Sequence, residues 1–318
     1  MLDPRDEFLI NVEFKDVYIK EYPKIAFLCG GVPVPIFDTV NKKRHFPSIR
    51  SYIAAKLEID HSSLVFVNAE DVKDWSSYNI YSDLIEFERD VAHICKSIIL
   101  FVESAGSIAE LGSFAIIPEI SRKLVVFVHR DYSAEDSYIS LGPLKKLANT
   151  HSNIHYIKWS LEEKTINKLE EKVLVEGSML DWDSYVCQSI KDSIDDLTRV
   201  AKDTQEHIRT KEILFLHDLI MLFNALNEEE ISKYFEMTGY KITKESLLQG
   251  LFCLRKLNLI KLVKAGSKPF YIPYDSSAKR YISIPGSADT ARLAMSLAEY
   301  YTHKSHIARR DAIKEIGS

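Results

Sequence analysis

The sequence predicts an α/β protein: an open parallel sheet flanked by helices, followed by a mainly α second domain. Three observations lead there. Through residues 24–129, short runs of β-branched and aromatic residues alternate with helical periods, the pattern of a parallel sheet covered on both faces. The chain has 318 residues, room for two domains at roughly 100–200 residues each. Its net charge of −5 is unevenly spread: acids outnumber bases over residues 1–200, and bases outnumber acids over 201–318.

Taken in order, Lys24–Cys29 (KIAFLC) is a buried strand stopped by Gly30-Gly31. A helix follows over Phe46–Leu57, a second strand over Ser63–Asn68, and a longer helix over Ile80–Cys95. Ser97–Val102 (SIILFV) is the third strand, Ser107–Ile120 a helix and Lys123–His129 (KLVVFVH) the fourth strand. Residues 161–209 read as polar and helical, with runs such as KTINKLEEK. Ile213–Leu226, Glu228–Glu236 and Lys244–Leu257 are three helices, and Leu259–Val263 with Phe270–Pro273 form a β-hairpin around the turn at Ala265–Pro269. Three helices and then a hairpin is the order of a winged helix-turn-helix. The expected domains are therefore 1–160, a helical connector over 161–210, and 211–318.

Composition excludes several classes. Hydrophobic residues at 46% and charged residues at 27% fit a globular chain rather than a disordered or fibrous one. No apolar run approaches the roughly 18 residues of a membrane span. The N-terminal stretch carries acids where a signal peptide needs bases, so no export signal is expected. Cys29, Cys95, Cys187 and Cys253 form no CxxC pair. A reducing cytoplasm is expected, with neither zinc site nor disulfide framework.

The densest chemistry lies in residues 101–115, FVESAGSIAELGSFA. Glu103 and Ser104 end a strand, Gly106 turns, Ser107 starts a helix and Glu110 stands one turn inside it. Backbone N–H groups at such a start suit a phosphate or a sugar hydroxyl. Ser107-Ile-Ala-Glu110 also reads as a capping box, which needs no substrate. Gly30 and Gly31 leave backbone open to a ligand, or simply make a tight turn. Glu70 and Asp71 follow the second strand, and Asp83 and Glu88 lie in or before the helix feeding the third. In a parallel sheet these groups converge on one edge; taken singly, each carboxylate reads as a solvated surface acid. His93 and His129 read as isolated structural residues.

The strings LCGG, FVNAED and ILFVESAGSIAELGSFA resemble nucleoside 2-deoxyribosyltransferase-like domains. The similarity is greatest to the effector (toxin) proteins of bacterial retron defence systems, which SYISLGPL at 137–144 also resembles. By motif the resemblance covers about residues 24–147. It implies that Glu110 is the glutamate of the family's ELG motif, and that Glu88 matches an acid in the helix before strand three. Asp83 competes for the second acidic place, and its spacing to the strand differs from that of true deoxyribosyltransferases. The implied activity is cleavage of an N-glycosidic bond in a nucleotide, NAD first among the candidates. The implied substrate-binding set is Gly30, Gly31, Glu70, Asp71, Glu103, Ser104, Gly106 and Ser107. The implied partners are the retron reverse transcriptase and its multicopy DNA–RNA hybrid, which hold the effector inactive. No cofactor and no metal are expected, and self-association into a homo-oligomer is.

In the back half, residues 241–280 hold nine bases and two acids. Lys244, Arg255, Lys256, Lys261, Lys264 and Lys268 lie on the expected recognition helix and wing, where they suit phosphates. A protein-docking role for the same module is the alternative, and Phe252, Phe270 and Tyr271 read as core. Two functions follow as rivals: a toxic nucleotide N-glycosidase, or a non-catalytic nucleotide-sensing winged-helix regulator.

Overall fold

The computed structural model describes residues 3–59, 65–68, 80–133, 136–149, 153–175, 183–200, 208–266, 268–275 and 279–317. The chain packs into two units. One comprises residues 23–73 and 95–204; the other comprises 1–22, 74–94 and 205–318. Neither is continuous in sequence.

The first unit is built on five parallel strands: β1 (Ile25–Cys29), β2 (Val65–Asn68), β3 (Ser97–Val102), β4 (Leu124–His129) and β5 (Asn153–Ile157), in the order β2-β1-β3-β4-β5. Every residue of β1 and β3 is buried, and so are all of β4 but His129. That is why these strands read as unbroken apolar runs rather than alternating ones. Ala26, Leu28, Ile99, Phe101, Val125 and Phe127 line one face of the sheet. They pack against Ile49, Ile53 and Leu57 of α1 (Ile49–Ile59), and against Val186 and Ile190 of a later helix. The helix after β3 is α2 (Ala105–Ala115), and it buries Leu111 and Phe114. Lys123, just before β4, is buried with its Nζ donating to the Cys95 carbonyl at 3.1 Å, and desolvation pushes its pKa down to about 7.

Three expectations are corrected here. The predicted helix 107–120 is two helices, since Pro118 has no N–H to continue α2 and starts a short turn, Pro118–Ser121. Strand β5 went unread. The "helical" stretch around KTINKLEEK is an antiparallel hairpin, β6 (Leu161–Ile166) and β7 (Leu169–Leu174). Ile166 pairs with Leu169 across Asn167 and Lys168, whose φ values of 51° and 72° make the two-residue primed turn that matches strand twist. A helix in this region starts only at α3 (Asp183–Val200).

The second unit is mainly helical. Its central helix, α4 (Ile208–Phe223), is buried along most of its length. Around it lie α5 (Glu228–Met237), α6 (Lys244–Lys256), the hairpin β8 (Ile260–Ala265) and β9 (Lys268–Pro273), and the helices Thr290–Tyr300 and Ile307–Lys314. Phe252, Phe270 and Tyr271 are all buried, as their reading as core residues requires. The Leu84–Ile94 helix belongs to this unit too, packing against α4 and α6. Phe87 meets Phe252 edge-on at 5.9 Å, and Asp90 is clamped by the Arg209 guanidinium, Nη2 to Oδ2 at 2.5 Å. The Tyr81 hydroxyl donates to the same carboxylate at 2.8 Å. The four cysteines are free thiols. Among the described residues, no helix is long and apolar enough to cross a membrane, and no cluster of side chains could hold a metal ion.

Candidate active site

In the order β2-β1-β3-β4-β5 the chain leaves β1 toward one side and β3 toward the other. Their carboxyl ends form the switch point where open α/β sheets hold ligands. Gly30-Gly31 follow β1 and Glu103-Ser104 follow β3, so the two motifs meet there, and Glu103 joins them. Its Oε1 accepts from the N–H of Gly31 at 3.0 Å and of Arg50 at 3.0 Å, while Oε2 accepts from the Ile49 N–H at 2.7 Å. Burial raises its pKa, against these bonds and the nearby Arg50 charge. Glu103 therefore holds the β1 loop and the start of α1.

The glycines take their explanation from the same contact. A Cβ on Gly31 would stand 2.8 Å from the Ser48 Cβ and 3.1 Å from the Glu103 Cδ; one on Gly30 would stand 3.1 Å from the Arg50 Cβ. Side chains crowd the space a Cβ at either position would take. Arg50, fully buried, donates to the carbonyls of Leu28 and Gly31 and completes the lock.

The start of α2 corrects an expectation. Ser104 is the N-cap: its Oγ accepts from the Ser107 N–H at 3.1 Å, and the Ser107 Oγ accepts from the Ser104 N–H at 2.9 Å. The capping box is thus Ser104 with Ser107, not Ser107 with Glu110. Gly106 lies inside the first helical turn, exposed, rather than in the turn before it. Both serine side chains bond to local backbone, and Ser107 is buried. Glu110, freed of a capping role, stands half-buried one turn further along α2.

Beside the start of α2, at the carboxyl ends of β3, β4 and β5, lies a cavity of about 420 Å³. Val102, Glu103, Ser104, Ala105 and Ile108 line one part of it, and His129, Asp131, Tyr132 and Trp159 the rest; Glu110 is not among its lining residues. The His129 ring meets the Trp159 indole edge-on at 4.7 Å, and its Nε2 donates to the Trp159 carbonyl at 3.2 Å. Asp131 reaches the other ring nitrogen at 3.1 Å. His129 had read as an isolated structural residue, and Asp131, Tyr132, Trp159 and Arg50 were not singled out at all. Trp159 follows β5, whose mostly half-exposed residues make no unbroken apolar run in the sequence.

The remaining candidates are spread over the chain. Asp83 is exposed and caps the Leu84–Ile94 helix, its Oδ1 accepting from the Glu86 N–H at 2.8 Å, while Glu88 is buried in that helix. Both belong to the helical unit, whereas Glu103 and Glu110 belong to the sheet unit. Glu70 and Asp71 lie outside the described residues. Among the basic set, Lys244, Lys264 and Lys268 are exposed and Arg255, Lys256 and Lys261 half-buried. Lys264 and Lys268 flank the hairpin turn, and the Lys261 ammonium sits 5.4 Å from the Tyr274 ring centre.

Residues 47–262 match the family model described as STM3845 retron effector protein. Over 274 residues the chain is 26% identical to an Escherichia coli protein named "Retron Ec73 putative ribosyltransferase/DNA-binding protein", covering 79% of this chain and 80% of that one. Over 126 residues it is 28% identical to the Escherichia coli "Retron Ec86 putative ribosyltransferase/DNA-binding protein", covering 40% of this chain and 38% of that one.

Proposed function

The chain belongs to the STM3845 retron effector family, and from that premise we propose that it is the toxic enzyme of a retron, cleaving the N-glycosidic bond of a nucleotide, NAD first among the candidates. The observation that carries this reading is the position of Glu110. It is a half-buried carboxylate on the helix that starts at the end of β3, and its side chain has no part in capping that helix. The ribosyltransferase in the names of both Escherichia coli relatives supports the same bond class.

Breaking a glycosidic bond passes through an oxocarbenium-like sugar, which a carboxylate stabilises or captures. Glu110 takes that role in this proposal. Nicotinamide leaves NAD neutral from a cationic ring, so little acid catalysis is needed. A second acid would orient a sugar hydroxyl or a water. The helices α4, α5 and α6 followed by the β8–β9 hairpin support a winged-helix reading of the second unit. Its lysines would meet the reverse transcriptase or the multicopy DNA–RNA hybrid that holds the effector inactive.

The test is to incubate the purified protein with a panel of NAD, nucleotides and nucleosides and follow released bases by mass. Release of nicotinamide by wild type and not by Glu110→Gln is the expected result. The rival reading, a non-catalytic nucleotide-sensing regulator, is favoured by the DNA-binding half of the relatives' names. It predicts no release, and equal toxicity of wild type and Glu110→Gln when expressed without partners.

A further inference from the structure

We propose that the cavity at the ends of β3, β4 and β5 is a ring-binding site that takes a planar nitrogen heterocycle remote from the bond being cleaved. The remoteness rests on the glycosidase reading above; the ring site itself rests on the cavity. Its volume of about 420 Å³ falls within the range of small-molecule sites. Val102 and Ile108 supply an apolar wall, and Trp159 and Tyr132 supply aromatic surfaces on which a base can stack. His129 braces the indole through its ring contact and its bond to the Trp159 carbonyl.

Charge selects the kind of ligand. Among the described residues no lysine or arginine lines the cavity, while Asp131, 74% exposed, brings a carboxylate to it. That environment repels phosphate and accepts donors, such as the exocyclic amine of an adenine or a ribose hydroxyl. The cavity therefore suits the base and sugar of a nucleoside, not its phosphates.

Helix geometry then separates ring from reaction. Ile108 faces the cavity and Glu110 comes two residues later, about 200° further around α2. A ring held against Ile108 is thus on the other flank of the helix from the Glu110 carboxylate. The ring in the cavity is the distal one of a two-ring substrate, and Trp159, Tyr132 and Asp131 set the preference for a dinucleotide.

The test uses the full chain carrying Glu110→Gln, so that binding is read without turnover, with adenosine as probe and inorganic pyrophosphate as control, followed by calorimetry. Adenosine should bind saturably and pyrophosphate should neither bind nor compete. Adding Trp159→Ala should weaken adenosine binding about tenfold or more, in line with the loss of one stacked base, and Trp159→Phe should recover most of it. Asp131→Asn, at an exposed position where the fold is not at stake, should weaken it several-fold. In the turnover assay Trp159→Phe should raise KM for NAD rather than lower kcat. Absence of adenosine binding, unchanged binding in both Trp159→Ala and Asp131→Asn, or competition by pyrophosphate would overturn the proposal. Failure of the glycosidase reading looks different: no base is released by wild type, while adenosine still binds and still depends on Trp159.

Discussion

The carboxylate of Glu103 accepts a hydrogen bond from the backbone N–H of Gly31 at 3.0 Å, tying the end of β3 to the loop after β1. With its bonds to Ile49 and Arg50, one side chain holds the switch point of the sheet closed around itself. Glu103→Gln keeps the shape but turns an N–H₂ group toward one of the three donors. A loss of about 1–3 kcal/mol is expected, the cost of leaving a buried donor unsatisfied. Thermal melting followed by circular dichroism checks it, and an unchanged midpoint would show that the three bonds contribute nothing net.

Glu110→Gln should behave in the opposite way. Its melting midpoint should match wild type, because Ser104 and Ser107 cap α2 without it. Glycosidic cleavage should fall about 10²–10³-fold, as for loss of one electrostatic group in a transition state. Retained turnover within about tenfold of wild type would remove Glu110 from the mechanism. Ser104→Ala, by contrast, should cost about 1 kcal/mol of stability through the lost cap.

Lys123 gives a pH dependence with a definite sign. Burial lowers its folded pKa to about 7 from 10.5, so between these values the unfolded chain binds a proton that the folded chain does not. Stability should therefore rise with pH above 7, by up to about 1.4 kcal/mol per unit, and the penalty should be complete below pH 7. The Cys95 thiol, pushed up to about 12, opposes this above its ordinary value of 9.0, which leaves pH 7–9 as the clear window. Lys123→Met should raise the melting temperature at pH 7 and flatten the slope. A slope in Lys123→Met as steep as in wild type would assign it to other groups.

Removing one partner of the Arg209–Asp90 pair should be costly. Both side chains are largely buried, and Arg209→Met leaves the Asp90 charge uncompensated. A loss of about 3–5 kcal/mol is expected by denaturant titration. The double variant Arg209→Met with Asp90→Leu should recover only the Asp90 share, since Glu212, which pairs with Arg209 at 3.1 Å, stays stranded.

Replacing Lys261, Lys264 and Lys268 with Glu should weaken the complex proposed above with a reverse transcriptase and its DNA–RNA hybrid. The wild-type interaction should weaken steeply with salt, as phosphate contacts do. Base release by the isolated chain should change little, and toxicity beside the partners should rise. Undiminished copurification of the triple variant with the complete complex would exclude this surface as the contact.

What the sequence disclosed follows from how each element is stabilised. β1, β3 and β4 are buried on both faces, so their runs of apolar residues announced them. β6 and β7 bury Ile166, Val173 and Leu174, but most of their ladder pairs exposed Leu, Glu, Lys and Thr, and much the same composition fits a solvated helix. The turn is Asn167-Lys168, without the glycine that marks most two-residue hairpins. In the site, the ES-x-GS-x-x-ELG string located the start of α2, yet not which serine caps it. It could not reveal that Glu103 is consumed by backbone donors from two other segments, since those bonds span 53, 54 and 72 residues of sequence. Glu88 and Asp90 look alike in the sequence of their helix; the partners that hold Asp90, Tyr81 and, from 119 residues away, Arg209, are set by tertiary packing.

The Leu84–Ile94 helix sits in sequence between β2 and β3 but finds its packing on α4 and α6. During translation, all five strands of the sheet have left the ribosome before residue 208 exists. Until α4 and α6 emerge, the nascent chain lacks the Phe252 and Arg209 that meet Phe87 and Asp90. A message cut short before α6 would give a polypeptide with its sheet strands all present and this helix uncovered. Such a product is a target for proteolysis rather than a smaller working protein.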